Sequence, residues 1–165
     1  MGYPKWSLVA VLAGGFVLAV PAAAAVTPKA IAAQAKSLLT QICAPELALS
    51  PTRLPAHYAY ESFSVTGTPA GLDLSYADQR FTANPTILRV HEISFDTSYL
   101  PKHATTCARP GTSTLRVSGM TIYYDKSLVW RCTRTPHGRL VEESANGRLP
   151  RAALASLVAS AAPLT

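Results

Sequence analysis

From Leu8 to Val20 the chain runs thirteen residues without a charge, interrupted by Gly14-Gly15 and closed by Pro21 and the small residues Ala22 to Ala25. One cation, Lys5, precedes the run. A basic start, a short apolar stretch and an Ala-x-Ala site at Ala23-Ala24-Ala25 follow the order of a secretory signal peptide. Residues 1–25 are therefore expected to be such a segment, and 26–165 a single domain beginning near Val26. An uncleaved anchor is the rival expectation, because Leu8 to Val26 is 19 residues and about 20 suffice to cross a bilayer. Either outcome places the body of the protein outside the cytoplasm, periplasmic or secreted. Lipid attachment is not expected, since the first cysteine, Cys43, lies well past the apolar run.

Export changes what the three cysteines mean. In an oxidising compartment Cys43, Cys107 and Cys132 offer one disulfide and one spare thiol, with three pairings open. Cys107 with Cys132 is favoured, because both fall among expected strands while Cys43 sits on an expected helix. No Cys-x-x-Cys or His-x-x-x-His occurs, and His57, His91, His103 and His137 are scattered, so neither a metal nor a cofactor is expected. With 48% hydrophobic and only 15% charged residues, the chain should bury one core rather than stay disordered.

Local patterns then set the elements. Thr27-Pro28 offers a helix start, and Ile31, Ala35, Leu38, Leu39 and Ile42 recur on one face, which predicts a helix from about Pro28 to Cys43. Pro45, Pro51 and Pro55 make residues 44–57 a connection. Tyr58 to Val65, and Leu72, Leu74 and Tyr76 beyond the Gly67-to-Gly71 turn cluster, read as a hairpin. Ile87 to Phe95 reads as a third strand, and residues 96–112 as a long irregular stretch. Between Leu115 and Tyr124 the apolar set changes parity at Ser118-Gly119, which predicts a bulged strand. Strands at Leu128 to Thr133 and Arg139 to Ala145 follow in a meander. Pro150 then opens a helix whose Ala153, Leu154, Leu157, Val158 and Ala161 share a face. The expected class is α+β: a curved antiparallel sheet of five or six strands with an N-terminal and a C-terminal helix packed on one face, leaving the other face open.

Charge is unevenly placed. Residues 26–101 hold five basic and six acidic side chains, whereas 102–165 hold nine basic and three acidic. A positive C-terminal half can favour an anionic partner or be an ordinary solvated face. Catalytic frames are missing from the sequence: Val117-Ser118-Gly119 is only a fragment of Gly-x-Ser-x-Gly, and Glu142-Glu143, adjacent on a strand, point to opposite faces. Strand alternation sends one of Tyr123 and Tyr124 away from the core. Tyr124 beside Arg116, Arg131 or Arg139 is the candidate contact surface.

Several segments carry a family likeness: Pro51 to Tyr58, Leu72-x-Leu-x-Tyr76, Val117 to Tyr124 with its glycine before an aromatic strand, Leu128-Val129-Trp130, and the closing Leu149 to Ala161 helix. In order, over about residues 51–161, they resemble the exported bacterial domains of unknown function found in lipoproteins and in the extracytoplasmic parts of anti-sigma regulators. Those domains are similar to periplasmic lipoprotein-carrier and sigma-regulator sensing domains. The resemblance implies a half-open antiparallel sheet that binds acyl chains or protein segments, and it supplies no catalytic residues. The sequence departs from the pattern in lacking a lipid-attachment cysteine after the leader and a cytoplasmic regulator domain before it. Three functions are weighed: an exported non-catalytic envelope domain binding a protein or a lipid; a secreted basic protein binding anionic polymer or, less favoured, nucleic acid; and an extracytoplasmic hydrolase without a visible signature.

Overall fold

The computed structural model describes residues 8–12, 16–20, 28–81 and 91–164. Strands β1 (Leu8–Leu12) and β2 (Phe16–Val20) pair as a hairpin of their own, with β1 lying against the fourth strand. Helix α1 (Pro28–Gln41), the short strand β3 (Leu49–Pro51), then β4 (Tyr58–Gly67), β5 (Ala70–Asp78) and β6 (Glu92–Tyr99) follow. The chain continues through β7 (Ser113–Val117), β8 (Met120–Tyr124), β9 (Val129–Arg134) and β10 (Leu140–Gly147) into helix α2 (Arg151–Ala159) and β11 (Ala161–Pro163). Seven strands form one antiparallel sheet in the order β4-β5-β6-β10-β9-β8-β7, and β11 pairs with β3 in a second.

The expected α+β domain of five or six strands with flanking helices is thus corrected to a mostly β architecture with two described helices. Two local causes account for the difference. Ser118 and Gly119 both take positive φ, 50° and 80°, so they form the two-residue turn of a hairpin and not a bulge within one strand. Val117 faces Met120 directly across that turn, which is why the apolar parity changes there. Strands β3 and β11 are three residues each, too short for alternation to reveal them. The stretch from residue 96, expected to be irregular, instead continues β6 as far as Tyr99. The part of the expected Ile87-to-Phe95 strand that precedes His91, and most of the expected leader, lie outside the described residues. Among the described residues no helix is long and apolar enough to cross a membrane.

Side-chain alternation sorts the sheet into two unlike faces. On the inner face Phe63, Val65, Leu72, Leu74, Ile93, Phe95, Val141 and Ala145 are buried with Leu39 of α1 and Leu154, Leu157 and Val158 of α2. A register shift between Tyr60 and Ser62 keeps Tyr58 and Tyr60 on the same face as Phe63 and Val65, which strict alternation would forbid. Helix α1 stops two residues before Cys43. That residue takes φ 56°, and the Ala44 N–H then reaches the Leu39 carbonyl at 2.8 Å. On the outer face Asp73, Ser75, Ser94, Asp96, Glu142 and Ser144 form a polar row flanked by Trp130 and Cys132.

Candidate functional site

Helix α1 does not lie flush on the sheet. Between its Ile31, Ala32 and Ala35 and the hairpin residues Tyr58, Tyr60, Leu74 and Tyr76 lies a chamber of about 740 Å³, closed on another side by Leu54 and Leu164. That volume is within the range of small-molecule sites. The described lining is apolar apart from the tyrosine hydroxyls, Ser50, and the exposed Lys29 at the first turn of α1. Tyr60 and Tyr76 meet edge to face with ring centroids 5.9 Å apart, and burial pushes both phenols above their ordinary range. The Tyr60 hydroxyl is buried and finds no hydrogen-bond partner among the described residues. An unpartnered buried hydroxyl costs about 1–3 kcal/mol.

The outer face is partly covered, contrary to the expectation that it stands open. Residues 100–112 strap across it. Of the three pairings open in the sequence the structure holds Cys107 with Cys132, at a Cα separation of 5.9 Å, and leaves Cys43 free and exposed. The Trp130 indole N–H donates to the Cys107 carbonyl at 3.1 Å, and Arg109 sits 4.6 Å from the Trp130 ring while reaching both Glu142 oxygens at 2.6 Å. Trp130 is consequently fully buried on a face that the sheet alone would leave wet.

The residues singled out by sequence are not gathered into one surface. Arg131 lies on the inner face, 9% exposed, and its partner Glu143 is 0% exposed. Its Nε donates to Glu143 Oε2 at 2.7 Å, and its other nitrogens reach the Ala159 and Ala161 carbonyls at 3.4 and 3.2 Å. Thr133 donates to the remaining Glu143 oxygen at 2.8 Å. Burial raises the Glu143 carboxyl more strongly than Arg131 and Thr133 lower it. Arg131 therefore anchors α2 and β11 to the sheet, and its expected role as an exposed contact is corrected. Tyr124 is half-buried under Arg151, whose guanidinium lies 4.2 Å from the ring. The two line a cleft of about 450 Å³ with Lys126. Arg116 is exposed and bonds the Gly119 carbonyl of its own hairpin, and Arg139 is exposed over the Tyr99 ring at 3.7 Å. Glu142 and Glu143 serve Arg109 and Arg131 on opposite faces.

One constellation was missed by sequence reasoning. Asp73 and Asp96 face each other across β5 and β6, and Ser94 Oγ lies 3.0 Å from Oδ2 of both. Burial and the Asp73 carboxylate raise Asp96 to about 7. Asp73 stands at an alternating polar position, which in a sequence reads as solvent-facing, and Asp96 opens the stretch expected to be irregular. Only the pairing of β5 with β6 brings them together. Among the described residues no group of three His, Cys, Asp or Glu side chains is placed to hold a metal ion.

No protein-family model and no curated protein matches the sequence. Among solved structures the chain is similar to the MucA/MucB complex of Pseudomonas aeruginosa, with a TM-score of 0.41 and 16% identity over 72% of this chain. The match takes in 35% of the other chain, so this chain spans about a third of its length. Likeness that loose fixes neither a shared fold nor a shared role.

Proposed function

We propose that this protein is an exported, non-catalytic domain of the cell envelope that holds a single-chain amphiphile in the chamber beneath α1. The observation that carries the reading is the chamber itself: about 740 Å³, with a mostly apolar lining and the exposed Lys29 at its edge. The apolar chain would lie against Leu74, Tyr76 and α1, and Lys29 would face an acidic head group. Support for export comes from the leader-like first 25 residues and from the Cys107–Cys132 bridge, which persists in oxidising compartments. Burying ten methylenes is worth about 8 kcal/mol before ordering costs, which corresponds to affinities in the micromolar range or weaker.

Titration with a dansyl-labelled fatty acid tests the reading. The wild-type protein should bind it saturably with a blue-shifted emission. Ala32→Phe, which places a ring in the chamber, should lose that binding while its urea midpoint stays level or rises. Equal binding by the filled variant would refute the assignment. A partner protein is the second reading, favoured by one observation. Among the described residues no strand pairs with the outer edge of β7, which ends the large sheet and carries the exposed Arg116, so an extended acidic segment could add to it.

A further inference from the structure

We propose that a single proton shared by Asp73 and Asp96 on the outer face of the sheet regulates the chamber on its inner face. The inference rests on the amphiphile reading above and adds its control. Ser94 Oγ has one hydrogen to donate, yet it lies 3.0 Å from a carboxyl oxygen of Asp73 and 3.0 Å from one of Asp96. If both carboxyls were ionised, one of these contacts would set two lone-pair oxygens against each other. A proton on either carboxyl satisfies both, because the protonated group donates and Ser94 passes its own hydrogen on. Ser75 Oγ, 3.4 Å from the other Asp73 oxygen, completes the cluster.

The surroundings favour retention of that proton. Asp73 on β5 and Glu142 on β10 are the charged groups acting on Asp96 among the described residues, and both are negative. The Glu142 carboxylate is already committed to Arg109. Across the neighbouring strands Ser64 stands opposite Asp73 and Ser144 opposite Asp96. Among the described residues neither carboxyl is paired with a cation, and burial and like charge hold the Asp96 carboxyl far above the usual carboxylate range. Loss of the proton to solvent then places two negative charges face to face across the β5–β6 ladder, where opposed like charges destabilise pairing.

Coupling to the chamber follows from alternation along one strand. Asp73 and Ser75 point outward from β5, while Leu74 and Tyr76, interleaved with them, wall the chamber. Loosening the ladder at Asp73 displaces the wall that grips the ligand. Affinity should therefore fall as the pH rises past neutrality.

The test uses an uncharged fluorescent probe, N-phenyl-1-naphthylamine, so that ligand ionisation plays no part. Wild-type affinity should fall at least about threefold between about pH 5.5 and about pH 8.5, while Asp96→Asn, which mimics the protonated acid, should bind equally at both. Asp73→Asn serves as a second variant and should behave alike. A wild-type protein that binds with no pH dependence, or variants that keep the full slope, would overturn the regulation and leave the chamber reading intact. Absence of probe binding at either pH would overturn the chamber reading and the coupling with it. In that event the urea midpoint, which should decline with pH in the wild type and not in Asp96→Asn, reports the proton separately.

Discussion

Removing the cation from the Arg131–Glu143 pair should be among the most damaging single changes available in this domain. Arg131→Met takes away the ion pair at 2.6 Å, the bonds to the Ala159 and Ala161 carbonyls, and the one cation among the described residues that pairs with the Glu143 carboxylate, which is 0% exposed. Breaking a buried pair from one side costs about 3–5 kcal/mol, against a total stability of about 5–15 kcal/mol for a domain. With a urea slope of about 2 kcal/mol per molar, the midpoint should fall by about 2 M, read by circular dichroism. The deficit has a defined pH course. Burial already holds Glu143 above the ordinary carboxylate range with Arg131 present, and its loss raises the carboxyl further. A group with a raised folded-state pKa contributes stability that is present below its unfolded value and lost as pH climbs through the folded one. The variant should therefore approach wild-type stability on acidification and fall furthest below it at neutral and alkaline pH. Adding Glu143→Leu removes the stranded charge and should restore most of the loss. A single variant within about 1 kcal/mol of wild type at neutral pH, or a double variant no better than the single, would refute the reasoning.

Two further substitutions probe particular contacts. Gly147 has φ 145°, and a β-carbon there would lie 2.8 Å from the Glu92 carbonyl, so Gly147→Ala should destabilise by about 2 kcal/mol or more and lower the thermal midpoint. Tyr60→Phe deletes a buried hydroxyl that has no hydrogen-bond partner among the described residues, so the protein should gain about 1 kcal/mol in urea denaturation.

How far the sequence disclosed this molecule depended on the range of each signal. Helical stripes such as Ile31, Ala35, Leu39 and the alternation of Leu72, Leu74 and Tyr76 are written in spacings of a few residues, and α1 and β5 were legible from them. The Ser118-Gly119 hairpin was misread, because a change of apolar parity is produced equally by a bulge and by a turn, and only the strand pairing separates the two. Arg131 and Tyr124 are the instructive pair. On alternation alone Arg131 could face either way, and its charge argued for water, yet Glu143 at the facing register position gives it a buried partner. The chamber was not legible at all. It exists because α1 stands off from the β4–β5 hairpin, and such a distance leaves no mark in periodicity. The Asp73–Asp96 cluster was hidden for the same reason, since 23 positions separate two residues that the β5–β6 register sets side by side.

Native mass spectrometry of the protein recovered from its own compartment, without detergent or organic extraction, addresses the central proposal most directly. A trimmed chain lacking about the first 25 residues, with one disulfide and an additional mass that collisional heating releases as a single-chain amphiphile, is the predicted result. A homogeneous apo mass that stays unchanged after incubation with fatty acids or lysolipids would contradict it.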